Sequence, residues 1–273
     1  MQKTFTSTGP ISLYVELGSG ALTIHTDDVA ETVVDVNGRD ADQVVVEQRG
    51  DQVVVLAPPR RSGFFGTSND LDVHVSMPHE SRLATKLGSA DVVARGRLGE
   101  SAVKSGSGDV QVEEVAAEAL VETGSGDISL GRVLGDLRVK SGSGNVGVDH
   151  LGGSASISTG SGDVEVGTAV GSVQVKSGSG DMRVREAQDG VALSTASGDL
   201  VVDRMHRGEL RASNVSGDIR VGVPAGVPVW TDISTVTGSV RSSLEGAGRP
   251  EDGQDYVELR AKTVSGDILL EQL

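Results

Sequence analysis

The residues best placed to do chemistry in this chain are nine carbonyl-bearing side chains at one point of a recurring phrase. They are Asp91, Asp109, Asp127, Asn145, Asp163, Asp181, Asp199, Asp218 and Asp267. The phrase reads VKSGSGDVQV at 103–112 and VETGSGDISL at 121–130. Its six regular copies carry their last glycine at Gly108, Gly126, Gly144, Gly162, Gly180 and Gly198, an interval of 18 residues. Two chemistries fit such a column. An Asp or Asn beside flexible glycines accepts backbone N–H bonds and pins a turn. Carboxylates stacked one strand spacing apart, about 4.8 Å, repel one another, and a calcium ion between them would relieve the repulsion. Asn145 favours the pin, because an amide oxygen accepts the same bonds without charge. The calcium-binding nonapeptide GGxGxDxUx places Gly and Asp in both halves of 18 residues. Here only one half carries them, and VLGDLRVKS (133–141) shows no second copy. The sequence therefore assigns Asp109, Asp127, Asn145, Asp163, Asp181, Asp199, Asp218 and Asp267 to a structural corner ladder, with no metal, cofactor or catalytic residue.

Other constellations are weaker. Asp27–Asp28 and Glu113–Glu114 are adjacent acidic pairs, and neighbours on a strand point to opposite faces. General acid/base work needs convergent carboxyls. His25, His74, His79, His150 and His206 have neither HxH nor HExxH spacing. No GxSxG elbow opens a helix, and the GSG loops lead into strands with no following GK[ST], so they cradle no phosphate. Two places break the pattern. PPRRSGFFGTSND (58–70) sets Arg60 and Arg61 beside Phe64 and Phe65, a candidate partner-binding loop or a flap over an open core end. VPAGVPVWTDI (223–233) holds the only Trp, Trp230, where the spacing loosens to 19, 21 and 28, and it is expected to cap or brace the last repeats.

The elements that must position these residues are strands. ISLYVEL (11–17), ALTIH (21–25), TVVDV (32–36), QVVVEQ (43–48), QVVVLA (52–57) and LDVHVSM (71–77) alternate apolar and polar residues between turn signals. RGDQ (49–52) reads as a hairpin turn. Stacking the 18-residue copies gives apolar columns: Val103, Val121, Val139, Ile157, Val175, Leu193; Val110, Ile128, Val146, Val164, Met182, Leu200; Val112, Leu130, Val148, Val166, Val184, Val202. A smaller column runs Ser101, Ala119, Leu137, Ala155, Val173, Val191. Each unit is two short strands meeting at an SGSGD corner. A propeller could use two units per blade, and Lys104, Lys140 and Lys176 do alternate with Glu122, Ser158 and Ser194. A parallel β-solenoid explains that alternation as separation of like charges on adjacent rungs, and constant spacing suits rungs of constant perimeter. The expected fold is all-β, a single-chain parallel β-helix. An irregular N-terminal β region or cap at 1–85 continues into regular repeats at 86–222 and modified C-terminal rungs or a cap at 223–273.

Composition bounds the function. The 273 residues are 37% apolar but only 2% aromatic, with 38 glycines, which suits a thin core of small branched side chains. A net charge of −15 repels nucleic acid and anionic lipid. There is no cysteine, hence no disulfide or thiolate site. No run reaches the ~18 apolar residues of a membrane span, and MQKTFTSTGPISLYVELG lacks a signal-peptide core, so the expected location is the cytoplasm.

The SGSGD-V/I-x-V unit, the spacing near 18, the Val-rich leading region and the closing KTVSGDILLEQL resemble the bacterial putative-adhesin family of β-strand-repeat proteins, a domain of unknown function. The resemblance covers essentially the whole chain, most strongly 86–222 and 261–273. It implies a parallel β-helix and an adhesion label, with relatives that are exported or membrane-anchored. Residues and resemblance together lead to a non-enzymatic scaffold or binding protein acting on an unknown protein partner or by self-association. The alternatives are a filament-forming protein resembling bactofilins and a carbohydrate-binding or carbohydrate-active β-helix.

Overall fold

Alternating apolar positions are the mark of a half-buried strand, and in the computed structural model they form strands from one end of the chain to the other. The structure describes residues 1–58, 70–245 and 253–273. It is all-β, a parallel β-helix, and among the described residues its one helical turn is the 3-10 segment Ala41–Gln43. The chain divides into two compact units, Met1–Gly135 and Asp136–Leu273.

In the N-terminal unit the first rung is a 16-residue strand, Ser12–Asp27. Its sequence suggests two short strands parted by Gly18-Ser19-Gly20. The strand instead runs on through them, because Ser19 and Gly20 pair with Ser89 and Ala90 of the next rung, Arg82–Leu98. Gly20 supplies the bend at φ +114, and a Cβ there would stand 2.1 Å from the Leu71 carbonyl oxygen. The repeat then sets in: Leu83 pairs with Ser101, and Ser101 with Ala119, all parallel. On its outer side the first rung carries Gln52–Leu56 and Leu71–Pro78, also parallel. Antiparallel strands close over these. Val45–Arg49 folds back on Gln52–Leu56 through a turn with Gly50 at φ +64, Glu31–Asn37 lies against Leu71–Pro78, and Gln2–Thr6 against Glu31–Asn37. Val34, Val36, Val46 and Val53 are buried beneath this lid.

In the C-terminal unit, Leu137–Ser143, Ala155–Ser161, Val173–Ser179 and Val191–Ser194 stack in parallel, one residue above its counterpart 18 further on. Val146–Leu151, Val164–Ala169, Met182–Ala187, Leu200–Met205 and Ile219–Val223 stack likewise, the last at an offset of 19. After that, stacking order departs from chain order. Gly208–Ser213 pairs with Val257–Ser265, which in turn pairs with Val229–Thr237. The last segment of the chain slides in between two earlier ones, so 229–242 forms the end rung. The spacing of 28 before Gly266 falls where this change of stacking order occurs.

The interior is built from the columns read off the repeat, with one addition. Leu151, Ala169, Ala187, Met205 and Val223 form a fifth inward column, all nearly inaccessible. It lies past an outward residue pair such as Gly167-Thr168, where strict alternation fails, so period-2 reading places it outside.

Candidate functional site

The Asp or Asn side chain of a corner pins the neighbouring rung rather than its own turn. In the C-terminal unit the Asp163 N–H donates to Asn145 Oδ1 at 3.0 Å, Asp181 to Asp163 Oδ1, Asp199 to Asp181, Asp218 to Asp199 and Asp267 to Asp218, each at 2.8 Å. The series ends where the Ser239 N–H donates to Asp267 Oδ1, also at 2.8 Å. That bond holds the Asp267 carboxyl below its ordinary range, with Arg241 adding to the effect. In the N-terminal unit the same geometry links Asp127 to Asp109 and Asp109 to Asp91 at 2.9 Å. One side-chain oxygen per rung thus satisfies the backbone donor of the next.

The Ser/Thr that opens each corner plays two roles. Ser105 and Thr123 accept the N–H of Gly108 and Gly126 at 3.0 and 3.1 Å. Ser141, Thr159, Ser177 and Thr195 instead donate to the carbonyls of Ser143, Ser161, Ser179 and Ser197. The glycine before the Asp follows suit: Gly144, Gly162, Gly180 and Gly198 lie at φ between +117 and +138. One sequence phrase adopts two corner conformations.

The ladder yields a first prediction. Asp163→Asn keeps the acceptor for the Asp181 N–H and should leave the melting temperature nearly unchanged. Asp163→Ala strands that donor at a solvent-exposed corner and should cost about 1 kcal/mol. Thermal unfolding with and without calcium reads both outcomes; the ion should shift neither variant, and a calcium-dependent rise in the wild type lost in Asp163→Asn would contradict the pin.

Outside the corners, the second strand of each rung in the C-terminal unit presents an open groove of about 710 Å³, lined by residues including Asp149, Thr168, Arg185, Arg204, Arg220 and Glu271. Its rim is tied by pairs that run diagonally across rungs. Arg183 binds Asp203 through two hydrogen bonds at 2.8 and 3.1 Å, Arg185 meets Glu165 at 2.6 Å, and His206 Nε2 lies 2.9 Å from Glu186. Asp203 is thereby the cause of the raised Arg183 value. Arg204 and Arg220 have no carboxylate within ion-pair distance among the described residues, nor do Asp149 and Glu271 a cation. The groove therefore offers unpaired charges of both signs at fixed rung spacing.

Other sequence candidates are placed apart. Glu113 accepts the Gly96 N–H at 2.8 Å, while Glu114 pairs with Arg97 and Arg132, so that acidic pair does not converge. His79 bonds Thr26 Oγ1. Trp230 lies on the end rung, 56% exposed, with the Arg260 guanidinium 6.0 Å from its ring centre. Arg60, Arg61, Phe64 and Phe65 lie outside the described residues. Sequence reasoning missed the groove, because its residues come from strands 18, 19 or, for Glu271, 49 positions apart at columns with no constant residue type. No helix among the described residues is long and apolar enough to cross a membrane.

A family model described as Toastrack DUF4097 matches residues 11–271. Among solved structures, the chain is similar to a "putative adhesin" from Parabacteroides distasonis ATCC 8503, at 13% identity and a TM-score of 0.47, covering 99% of this chain and 96% of that one. A "putative lipid binding protein" from the same organism shows 15% identity and a TM-score of 0.46, with coverages of 99% and 96%. A "putative adhesin" from Parabacteroides merdae ATCC 43184 shows 13% and 0.42, with coverages of 99% and 95%. No curated protein matches.

Proposed function

The chain belongs to the Toastrack DUF4097 family, and from that premise we propose that it is a non-enzymatic β-solenoid scaffold that binds a protein partner. The observation that carries this reading is the groove in the C-terminal unit. Arg204 and Arg220 on one hand, and Asp149 and Glu271 on the other, stand unpaired along a wall whose remaining charges are tied to one another. A polyanion would meet Asp149 and Glu271 as repulsive groups, whereas a polypeptide surface carries both signs and can answer both. Rung stacking holds these charges at fixed intervals, which favours recognition of an extended partner over catalysis at a point.

The test is photo-crosslinking from an aryl-azide side chain placed at Thr168 in the groove, against the same group at Gln174 outside it. Capture of one defined protein from Thr168 alone, reduced about tenfold by Arg204→Glu with Arg220→Glu, is the expected result. Adducts indifferent to those substitutions would contradict the reading. Turnover of a glycan, lost on Asp149→Asn or Glu271→Gln, would replace it with the carbohydrate-active one.

A further inference from the structure

The end rung of the C-terminal unit leaves a strand edge open. Val229–Thr237 is registered against Val257–Ser265 on one side, and no strand is registered on its other side among the described residues. Alternate residues of this nine-residue strand turn their N–H and C=O groups away from Val257–Ser265 and form a template for another strand, and proteins ordinarily blunt such an edge with several charges, a proline or a bulge. This one carries a single charge, Asp232, and its apolar side chains are open: Val236 is 76% exposed and Trp230 56%. Thr231 stands exposed above the buried Leu259.

The residue order on that edge is close to its own mirror image. Read from Ile233 outward, VWTDISTVT gives Asp232 and Ser234, Thr231 and Thr235, Trp230 and Val236, Val229 and Thr237. Two copies laid antiparallel about Ile233 therefore set each Trp230 against a Val236, each Thr231 against a Thr235, and Ile233 against itself. Partners directly opposite in an antiparallel pair share a face, and here outward meets outward and inward meets inward. Neighbouring registers are worse. Centring on Asp232 opposes two carboxylates, and centring on Ser234 sets Asp232 against Val236. With Ile233 at the centre, Asp232 faces a hydroxyl, and Lys262, 3.6 Å from Asp232 within the same copy, remains available to it.

We propose that this edge pairs with the same edge of a second copy, giving a closed twofold dimer. The contact is isologous, so it uses up the edge on both partners and does not propagate into a filament. It deepens the binding reading on its self-association side and rests on residues away from the groove.

The chain has no cysteine, so single replacements report cleanly. Asp232→Cys and Ser234→Cys are mixed in equal amounts under mild oxidation. The register places residue 232 opposite residue 234 of the other copy at about 5 Å, against about 8 Å for like positions. The mixture should give about fivefold more disulfide-linked dimer than either variant alone. Light scattering of the wild type should give twice the chain mass, and Val236→Lys, at an exposed position, should give the chain mass with unchanged circular dichroism. Equal crosslinking in all three samples, a wild type that stays monomeric at every concentration, or mass that grows without limit would overturn the proposal. A monomer that still gives the Thr168 adduct sinks the pairing alone; a dimer without the adduct sinks the groove reading alone.

Discussion

Val166→Asp should destabilise the protein by about 4 kcal/mol, enough to remove most of the stability of an ordinary domain. Val166 is inaccessible to solvent and sits in the strand Val164–Ala169 with Val148 above and Val184 below. Those neighbours are apolar, so a carboxylate there finds neither a cation nor a donor and must be buried uncompensated or protonated. Val166→Ala, which leaves a cavity without a charge, should cost about 2 kcal/mol. Glu165 points outward and pairs with Arg185; Glu165→Lys breaks an exposed pair beside Arg183 and should cost about 1 kcal/mol at most. Chemical denaturation of the three variants should rank them in that order. A Val166→Asp protein as stable as Glu165→Lys would mean that the column does not face the core.

Gly162→Ala should cost about 3 kcal/mol, more than truncating a buried valine. Two penalties coincide at this corner. The residue lies at φ +117, where a side chain is strained, and a Cβ would stand 2.3 Å from the Gly144 carbonyl oxygen and 2.8 Å from its carbon. That neighbour is backbone of the adjacent rung, so relief requires the rungs to part and the 3.0 Å bond from Asp163 to Asn145 to stretch. Gly226 separates the two effects: it has φ +81 with nothing within 4 Å of its Cβ direction, and Gly226→Ala should cost about 1 kcal/mol from conformation alone. Gly9, open and without a left-handed φ, should accept Ala with little change. Melting temperatures falling in the order Gly9, Gly226, Gly162 would separate strain from close approach; equal losses at Gly162 and Gly226 would show that rung contact contributes nothing.

The regular repeats were legible because one chemistry recurs at a constant interval. Val148, Val166 and Val184 can be aligned by counting, and the Asp column falls into line with them. Counting fails where the environment rather than the residue type decides. SGSGD at 105–109 and TGSGD at 159–163 look alike, yet Ser105 accepts a backbone bond and Thr159 donates one. Ala169 and Ala187 face the core past a break in alternation, a shift that no single repeat announces. The re-entry of Val257–Ser265 beside Gly208–Ser213 depends on a long-range pairing that local pattern does not encode. The groove was illegible for the same reason: Arg204 and Arg220 acquire meaning only from the carboxylates that other rungs fail to place beside them.

The central claim is that the physical neighbours of each residue in the regular repeats lie one repeat away, on stacked parallel rungs. Hydrogen exchange on Val166→Ala, the milder variant that stays folded, tests it most directly. A stack held by nearest-neighbour contacts should transmit the damage one level in each direction. Protection should fall most in Val164–Ala169 and next in Val146–Leu151 and Met182–Ala187, while Val257–Ser265 keeps its wild-type exchange. Equal loss of protection across all these strands, or loss in Val257–Ser265 exceeding that in Val146–Leu151, would contradict the stacked-rung account.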